Sequence, residues 1–215
     1  MEPLIFPKNP GNAPAMERYM KNHFVFAGVP KSIRGGLQKE LLKESRTWPV
    51  AELLDQIAFY YQQTEREYQY LAIDLAQENV RRLTFEDLQT LLPLVSQKEW
   101  WDSIDSWRKV YGTWVKLHPD YLTEVFGLFD KQPDFWLRRI AITLQLQFKE
   151  AINRSLLKKA IEYDMNTEEF FIQKAIGWAL RDYSKINPDW VRQIVDQGRL
   201  SALATREASK YIIRK

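Results

Sequence analysis

The side chains that could do chemistry in this chain are few, and the residue types that are missing narrow the choice further. There is no cysteine among 215 residues, so disulfides, thiolate metal sites and cysteine nucleophiles are excluded, which fits a reducing compartment. His23 and His118 are the only imidazoles. They lie far apart, and without an H-x-x-x-H spacing or a G-x-S-x-G elbow they point to neither a zinc enzyme nor a serine triad. The eight glycines never sit as G-x-G, which removes the phosphate-cradling loops of Rossmann and P-loop enzymes. Carboxylates, indoles and guanidiniums remain, and they concentrate in two segments. Trp100, Trp101 and Trp107 lie around Asp105, with Trp101 one helical turn ahead of that carboxylate on the same face. Arg138 and Arg139 stand side by side further along. A carboxylate among indoles is either buried and paired or displayed at a site, because burying it bare costs several kcal/mol.

The elements that must hold these groups are helices. Apolar residues recur at threes and fours after residue 15, as in Leu53, Leu54, Ile57, Ala58 and Tyr61, and again in Leu137, Ile140, Ala141 and Leu144. Strand-like alternation is nearly absent. Thr84 opens a capping box before Phe85-Glu86-Asp87, Thr167 precedes Glu168-Glu169, and His118-Pro119 and Asn187-Pro188 each read as a stop followed by a first-turn proline. About a dozen helices of roughly 10 to 18 residues are expected. Residues 1–14, with four prolines, read as an extended N-terminal arm, and residues 15–215 as one domain. No apolar run approaches the ~18 residues of a membrane span, and the opening segment lacks the marks of a signal peptide, so a cytoplasmic location is expected. Residues 1–100 hold 12 basic and 13 acidic side chains, whereas residues 101–215 hold 19 and 15. The second half is therefore the part suited to meet phosphate.

Self-similarity appears at a period near 35. Tyr68-Gln69-Tyr70-Leu71, Asp102-Ser103-Ile104-Asp105, Leu137-Arg138-Arg139-Ile140 and Ile172-Gln173-Lys174-Ala175 align with steps of 34, 35 and 35. Two helices per repeat of that length define an all-α solenoid of HEAT-like helix pairs, whose second helices line a concave, basic groove. In this register Asp105 stands where Leu71, Ile140 and Ala175 are apolar, and Trp178 stands where Asp74, Arg108 and Thr143 are polar. Trp178 is thus expected to face outward, and Trp48, Trp114, Trp136 and Trp190 to pack.

Several blocks in order then identify a likeness. Arg18-Tyr19-Met20-Lys21-Asn22-His23-Phe24, Glu65-Arg66-Glu67, Trp100-Trp101-Asp102-Ser103-Ile104-Asp105-Ser106, Trp136-Leu137-Arg138-Arg139, Phe170 through Arg181, and Arg206-Glu207-Ala208 together resemble the AlkD-type DNA alkylation repair proteins, which are HEAT-like-repeat DNA glycosylases. The likeness departs at the N-terminus, where a proline-rich stretch stands in place of a further helix.

The resemblance implies that Asp105 is the catalytic carboxylate, that Trp101 and Trp178, with Tyr19, wall the active cleft, and that Arg139 holds the DNA backbone. Lys174 and Arg181 extend the positive track, as do Arg206 and Lys210. The implied activity is excision of positively charged alkylated purines, of the 3-methyladenine and 7-methylguanine type, from double-stranded DNA in base excision repair. No metal, cofactor, membrane or obligate protein partner is implied, and the protein is expected to act as a monomer in the bacterial cytoplasm or nucleoid. The residue types suit that chemistry. An alkylated purine already carries positive charge, so its loss leaves an oxocarbenium-like sugar that an ionised Asp105 can stabilise. Two other readings stay open: Asp105 as a buried partner of Arg108 or Arg139 that locks adjacent repeats, and the whole array as a non-catalytic module binding nucleic acid or protein.

Overall fold

The computed structural model describes residues 3–212, which form thirteen α-helices joined by turns and short 3-10 segments, with no strand among the described residues. The chain divides into two compact units, Met1–Gln97 and Lys98–Lys215. The first holds α1 (Ala13–Tyr19), α2 (Lys31–Leu37), α3 (Lys39–Ser45), α4 (Val50–Gln62), α5 (Arg66–Glu78) and α6 (Phe85–Val95). The second holds α7 (Trp101–Leu117), α8 (Leu122–Gly127), α9 (Phe135–Thr143), α10 (Arg154–Asp164), α11 (Phe170–Tyr183), α12 (Pro188–Val195) and α13 (Ala202–Ala208). The boundaries follow the punctuation. Thr84 and Asp87 form the reciprocal capping box of α6, and Pro188 opens α12 behind its cap Asn187. At α11 the cap is Glu169, which accepts from the Phe171 amide, while Thr167 accepts from the amide of Glu169 itself. The helix thus starts one residue past the acidic pair rather than at it.

In the first unit the expected arm is non-helical up to Asn12, yet it is packed. Phe6 is buried, its ring centroid is 5.0 Å from that of Tyr68, and the amides of Leu4 and Phe6 donate to the hydroxyls of Tyr60 and Tyr68. The Glu65-Arg66-Glu67 block is an anchor. Glu67 is fully buried, and its carboxylate accepts from the amides of Ala27, Gly28 and Val29, each at 2.9 Å. Three charge-assisted bonds offset the cost of burying that charge. Gly28 has φ +89°, and a Cβ there would lie 2.2 Å from the Asn9 carbonyl oxygen, so only glycine passes through this cradle. Arg66, also fully buried, lies 3.8 Å from the Phe24 ring. Helix α1 ends at Tyr19, and Lys21 and Asn22 take positive φ, so Tyr19 and His23 do not share one helical face.

In the second unit α7 packs on α9, α9 on α11 and α11 on α13, while α10 touches both α9 and α11. Two glycines let these helices close up. A Cβ on Gly112 would lie 2.7 Å from the Leu144 carbonyl oxygen, and one on Gly177 would lie 2.7 Å from the Glu207 Cβ. The N-terminal ends of α7, α9 and α11 come together through Trp100, Trp136 and Phe171, whose ring centroids are 4.8 to 5.7 Å apart.

The repeat is real, and its register agrees with the sequence alignment for α5, α9 and α11 but differs by one residue at α7. Helices α5, α7, α9 and α11 begin at Arg66, Trp101, Phe135 and Phe170, with steps of 35, 34 and 35. The fourth residue of three of them performs one job. Gln69 donates to the carbonyls of Tyr61 and Gln63, Arg138 to those of Gln132 and Pro133, and Gln173 to those of Asp164, Met165 and Thr167. Each satisfies the loose carbonyls just before its own helix. Hydrophobic matching alone had paired Asp105 with Leu71, Ile140 and Ala175. In the structural register its equivalents are Tyr70, Arg139 and Lys174, so a polar residue there is no misfit. Trp178 correspondingly matches Asp74, Lys109 and Thr143, of which Thr143 is fully buried.

Candidate functional site

Asp105 is the fifth residue of α7 and Arg139 the fifth of α9, so one helical turn past the aromatic cluster they face each other across the α7–α9 contact. Arg139 donates from Nε to Oδ1 of Asp105 and from a terminal nitrogen to Oδ2, both at 3.0 Å, and its other terminal nitrogen reaches the Phe171 carbonyl at 2.6 Å. This planar fork fixes the carboxylate in two directions, which a lysine could not do. The pair is asymmetric in burial: the Arg139 side chain is 3% exposed and that of Asp105 24%. Its neighbour supplies the contrast. Arg138 pairs with Asp164 at 3.0 Å, but the Asp164 side chain is only 5% exposed, and burial, opposed by Arg138, pushes its carboxyl above the usual range. One arginine of α9 therefore closes a structural lock, and the other holds a carboxylate whose outer edge reaches solvent.

Around Asp105 stand the remaining groups of this unit. Trp101 lies one turn before it on α7 and is half-buried. Arg108 lies almost one turn after it, and its guanidinium centre is 5.7 Å from the Trp178 ring of α11. Burial lowers the Arg108 pKa, with Asp105 and Asp182 opposing and Arg139 assisting. Trp178 is itself half-buried, so one indole, two guanidiniums and one carboxylate from α7, α9 and α11 share a single locale. Lys174 is exposed, with its ammonium 5.6 Å from the Phe170 ring. Arg181 is ion-paired to Glu207 of α13. Arg206 and Lys210 are exposed, the latter 5.8 Å from the Tyr211 ring. Tyr19 belongs to the first unit, where it is 69% exposed. Among the tryptophans assigned to packing, Trp48, Trp114 and Trp136 are buried. Among the described residues no group of three or more His, Cys, Asp or Glu side chains could hold a metal ion.

Arg108 was considered from sequence only as a partner for Asp105, and the signal that singles it out is the register. With α7 aligned by its start, Arg108 falls on the position of Ile73, Ile142 and Gly177, all buried.

A second carboxyl group sits at the N-terminal end of α9. Asp134 caps that helix by accepting from the Trp136 amide at 2.8 Å. Burial, then a hydrogen bond to Asp134 and repulsion from it, push Glu99 up to about 7. The folded protein therefore keeps a proton that the unfolded chain releases from about 4.5 upward, so this group's effect is to make stability fall as pH rises from about 4.5 through about 7. Glu99→Gln is expected to flatten that dependence and to raise the melting temperature in mildly alkaline buffer. Thermal melts of both proteins across the window check it, and parallel curves would rule the proton out.

Residues 2–212 match the family described as DNA alkylation repair enzyme. The chain belongs to that family. A solved structure described as a predicted DNA alkylation repair enzyme from Enterococcus faecalis is 55% identical, with a TM-score of 0.97 over 99% of this chain and 100% of that one. AlkD2 from Streptococcus mutans is 19% identical with a TM-score of 0.66, over 93% of this chain and 100% of that one. Smu.31 from Streptococcus mutans UA159 is 22% identical with a TM-score of 0.62, over 85% and 99%. These two are similar in fold, that of the AlkD-type helical repeat. No curated protein matches the chain. In the second unit, the Asp105–Arg139 pair sets a partly exposed carboxylate against a buried guanidinium.

Proposed function

We propose that the protein is a DNA glycosylase that removes positively charged alkylated purines from duplex DNA, with Asp105 as the carboxylate that stabilises the sugar cation. The observation that carries this reading is the half-open carboxylate: both its oxygens are oriented by the buried Arg139, yet it retains solvent access that the lock aspartate Asp164 lacks. A carboxylate fixed before the reaction acts without reorganising as charge develops. Trp101 and Trp178 supply indole faces that attract a cation and exclude water. With Arg139 committed to protein acceptors, its role in this reading is to orient Asp105, and the exposed Lys174 meets backbone phosphate. No protonated group is needed at the departing base, because a cationic purine leaves as a neutral molecule.

The direct test is incubation of the purified protein with methylated duplex DNA and chromatography of the released bases. The expected products are free 3-methyladenine and 7-methylguanine, with no release from undamaged DNA. Duplex binding without any release would instead assign the array to the non-catalytic class of helical-repeat modules.

A further inference from the structure

Arg108 is out of keeping with its place in the fold. The eighth residue of α5, α9 and α11 is Ile73, Ile142 or Gly177, the first two 2% and 1% exposed. At the eighth residue of α7 the chain puts a guanidinium instead. The other described arginines of the second unit that are not exposed have partners: Arg138 with Asp164, Arg139 with Asp105, Arg181 with Glu207 and Arg192 with Asp189. Arg108 makes no hydrogen bond and no ion pair among the described residues, and its Nε is occluded without an acceptor. Asp105, the carboxylate one turn away, is already engaged through both oxygens by Arg139. A largely buried cation with idle donors is expensive to keep, and the indole of Trp178 at 5.7 Å offsets little of that cost. Lys116, further along α7, has no ion pair among the described residues either, and after burial it is Arg108 that does most to depress its ammonium pKa. Two cations that repel one another along one helix, with Asp105 held by Arg139 and Asp182 engaged by the Gln147 amide and Lys185, are arranged for an anion that comes from outside.

We infer that Arg108 is the receptor for a DNA phosphodiester beside the nucleotide served by Asp105, a role distinct from that of Arg139, which holds the carboxylate. This rests on the glycosylase reading above. The planar fork of an arginine suits two phosphate oxygens, and the fixed indole beside it limits the directions from which they approach. Such a contact adds affinity without reading sequence.

The test uses the full chain with a duplex carrying a stable abasic-site analogue, its binding followed by fluorescence anisotropy over a range of salt concentrations. Arg108→Gln is expected to weaken binding about tenfold or more and to reduce the slope of log affinity against log salt by about one unit. Exposed Arg154, on α10, changed to Gln serves as the control and should leave both unchanged. The melting temperature of Arg108→Gln is expected to hold or rise, because an uncompensated buried charge has been removed. Arg108→Met, which keeps the aliphatic stem, gives the same reading if Gln packs poorly. Arg108→Lys should retain the salt slope yet bind more weakly, since it keeps the charge and loses the fork. A folded Arg108→Gln or Arg108→Met with wild-type affinity and slope overturns the assignment while leaving the glycosylase reading intact. A lowered melting temperature with unchanged binding overturns it in favour of packing against Trp178. A wild type that binds no duplex overturns both readings together.

Discussion

Asp105→Asn is expected to reduce release of 7-methylguanine or 3-methyladenine by about 10²–10³-fold, the range seen when one electrostatic group is withdrawn from a transition state, while duplex binding survives. The substitution preserves size and shape but deletes the negative charge that stabilises the sugar cation. Binding can even tighten, since a carboxylate repels phosphates. The structural cost is contained. The asparagine oxygen still accepts one of the two 3.0 Å bonds from Arg139, and the Phe171 carbonyl retains the other end of the guanidinium. Asp164→Asn, at the neighbouring lock, is the matched control. It removes a carboxylate that likewise pairs with an arginine of α9 but is 5% exposed, and should lower the melting temperature while leaving release intact. A folded Asp105→Asn protein that releases bases at the wild-type rate would remove Asp105 from the chemistry. A large loss of stability in that variant, with release restored at lower temperature, would reassign it as a second lock.

Replacing the partner should damage the fold more. Arg139→Leu deletes three hydrogen bonds from a side chain that is 3% exposed, stranding the Phe171 carbonyl and leaving Asp105 without its counter-charge. Breaking a buried pair from one side costs about 3–5 kcal/mol. Because Asp105 retains contact with water, the lower end applies, about 3 kcal/mol, or roughly 6–12 °C in melting temperature for a chain of this size. Release should fall as well, even well below the melting transition, because the carboxylate can then rotate away from its working direction. Arg139→Lys should recover little of either, since a single ammonium cannot grip both oxygens and the Phe171 carbonyl at once. Thermal melts and base-release rates on the same preparations check both effects. Wild-type release from a folded Arg139→Leu protein would show that Asp105 needs no such support.

Helices were legible from the sequence because their signals are local. The capping box at Thr84 and the first-turn proline at Pro188 each depend on residues within one turn of one another. The repeat was legible as a period, and in register everywhere but at α7. Hydrophobic matching set Asp105 against Ile140, whereas the helix starts align it with Arg139; Gln69, Arg138 and Gln173, which tie down the carbonyls before their helices, coincide either way, so the slip is confined to α7, whose fourth residue is the apolar Ile104. The same slip concealed Arg108, whose oddity is visible only when it is compared with Ile73 and Ile142. Asp105, Trp101 and Trp178 stood out from residue type and repeat position, and resemblance gave them and Arg139 their roles, but that Arg139 spends its donors on Asp105 and Phe171 depends on the distance between α7, α9 and α11, which no local pattern encodes. The Glu67 cradle was hidden for a similar reason, since its three amides lie 38 to 40 residues away in the chain.

Asp105 and Arg139 are 34 residues apart and come from successive repeats, so the site does not exist inside any single helix pair. Its lifetime is the lifetime of the seam between α7 and α9, which the Gly112 approach to Leu144 draws tight. Stacked repeats exchange with solvent seam by seam. Fraying of α13 at the far edge of the unit leaves the carboxylate and guanidinium in place, whereas one opening of the α7–α9 seam separates them in a single event. Deuterium uptake by the amides of α7 and α9 therefore clocks how often the protein is momentarily without its site.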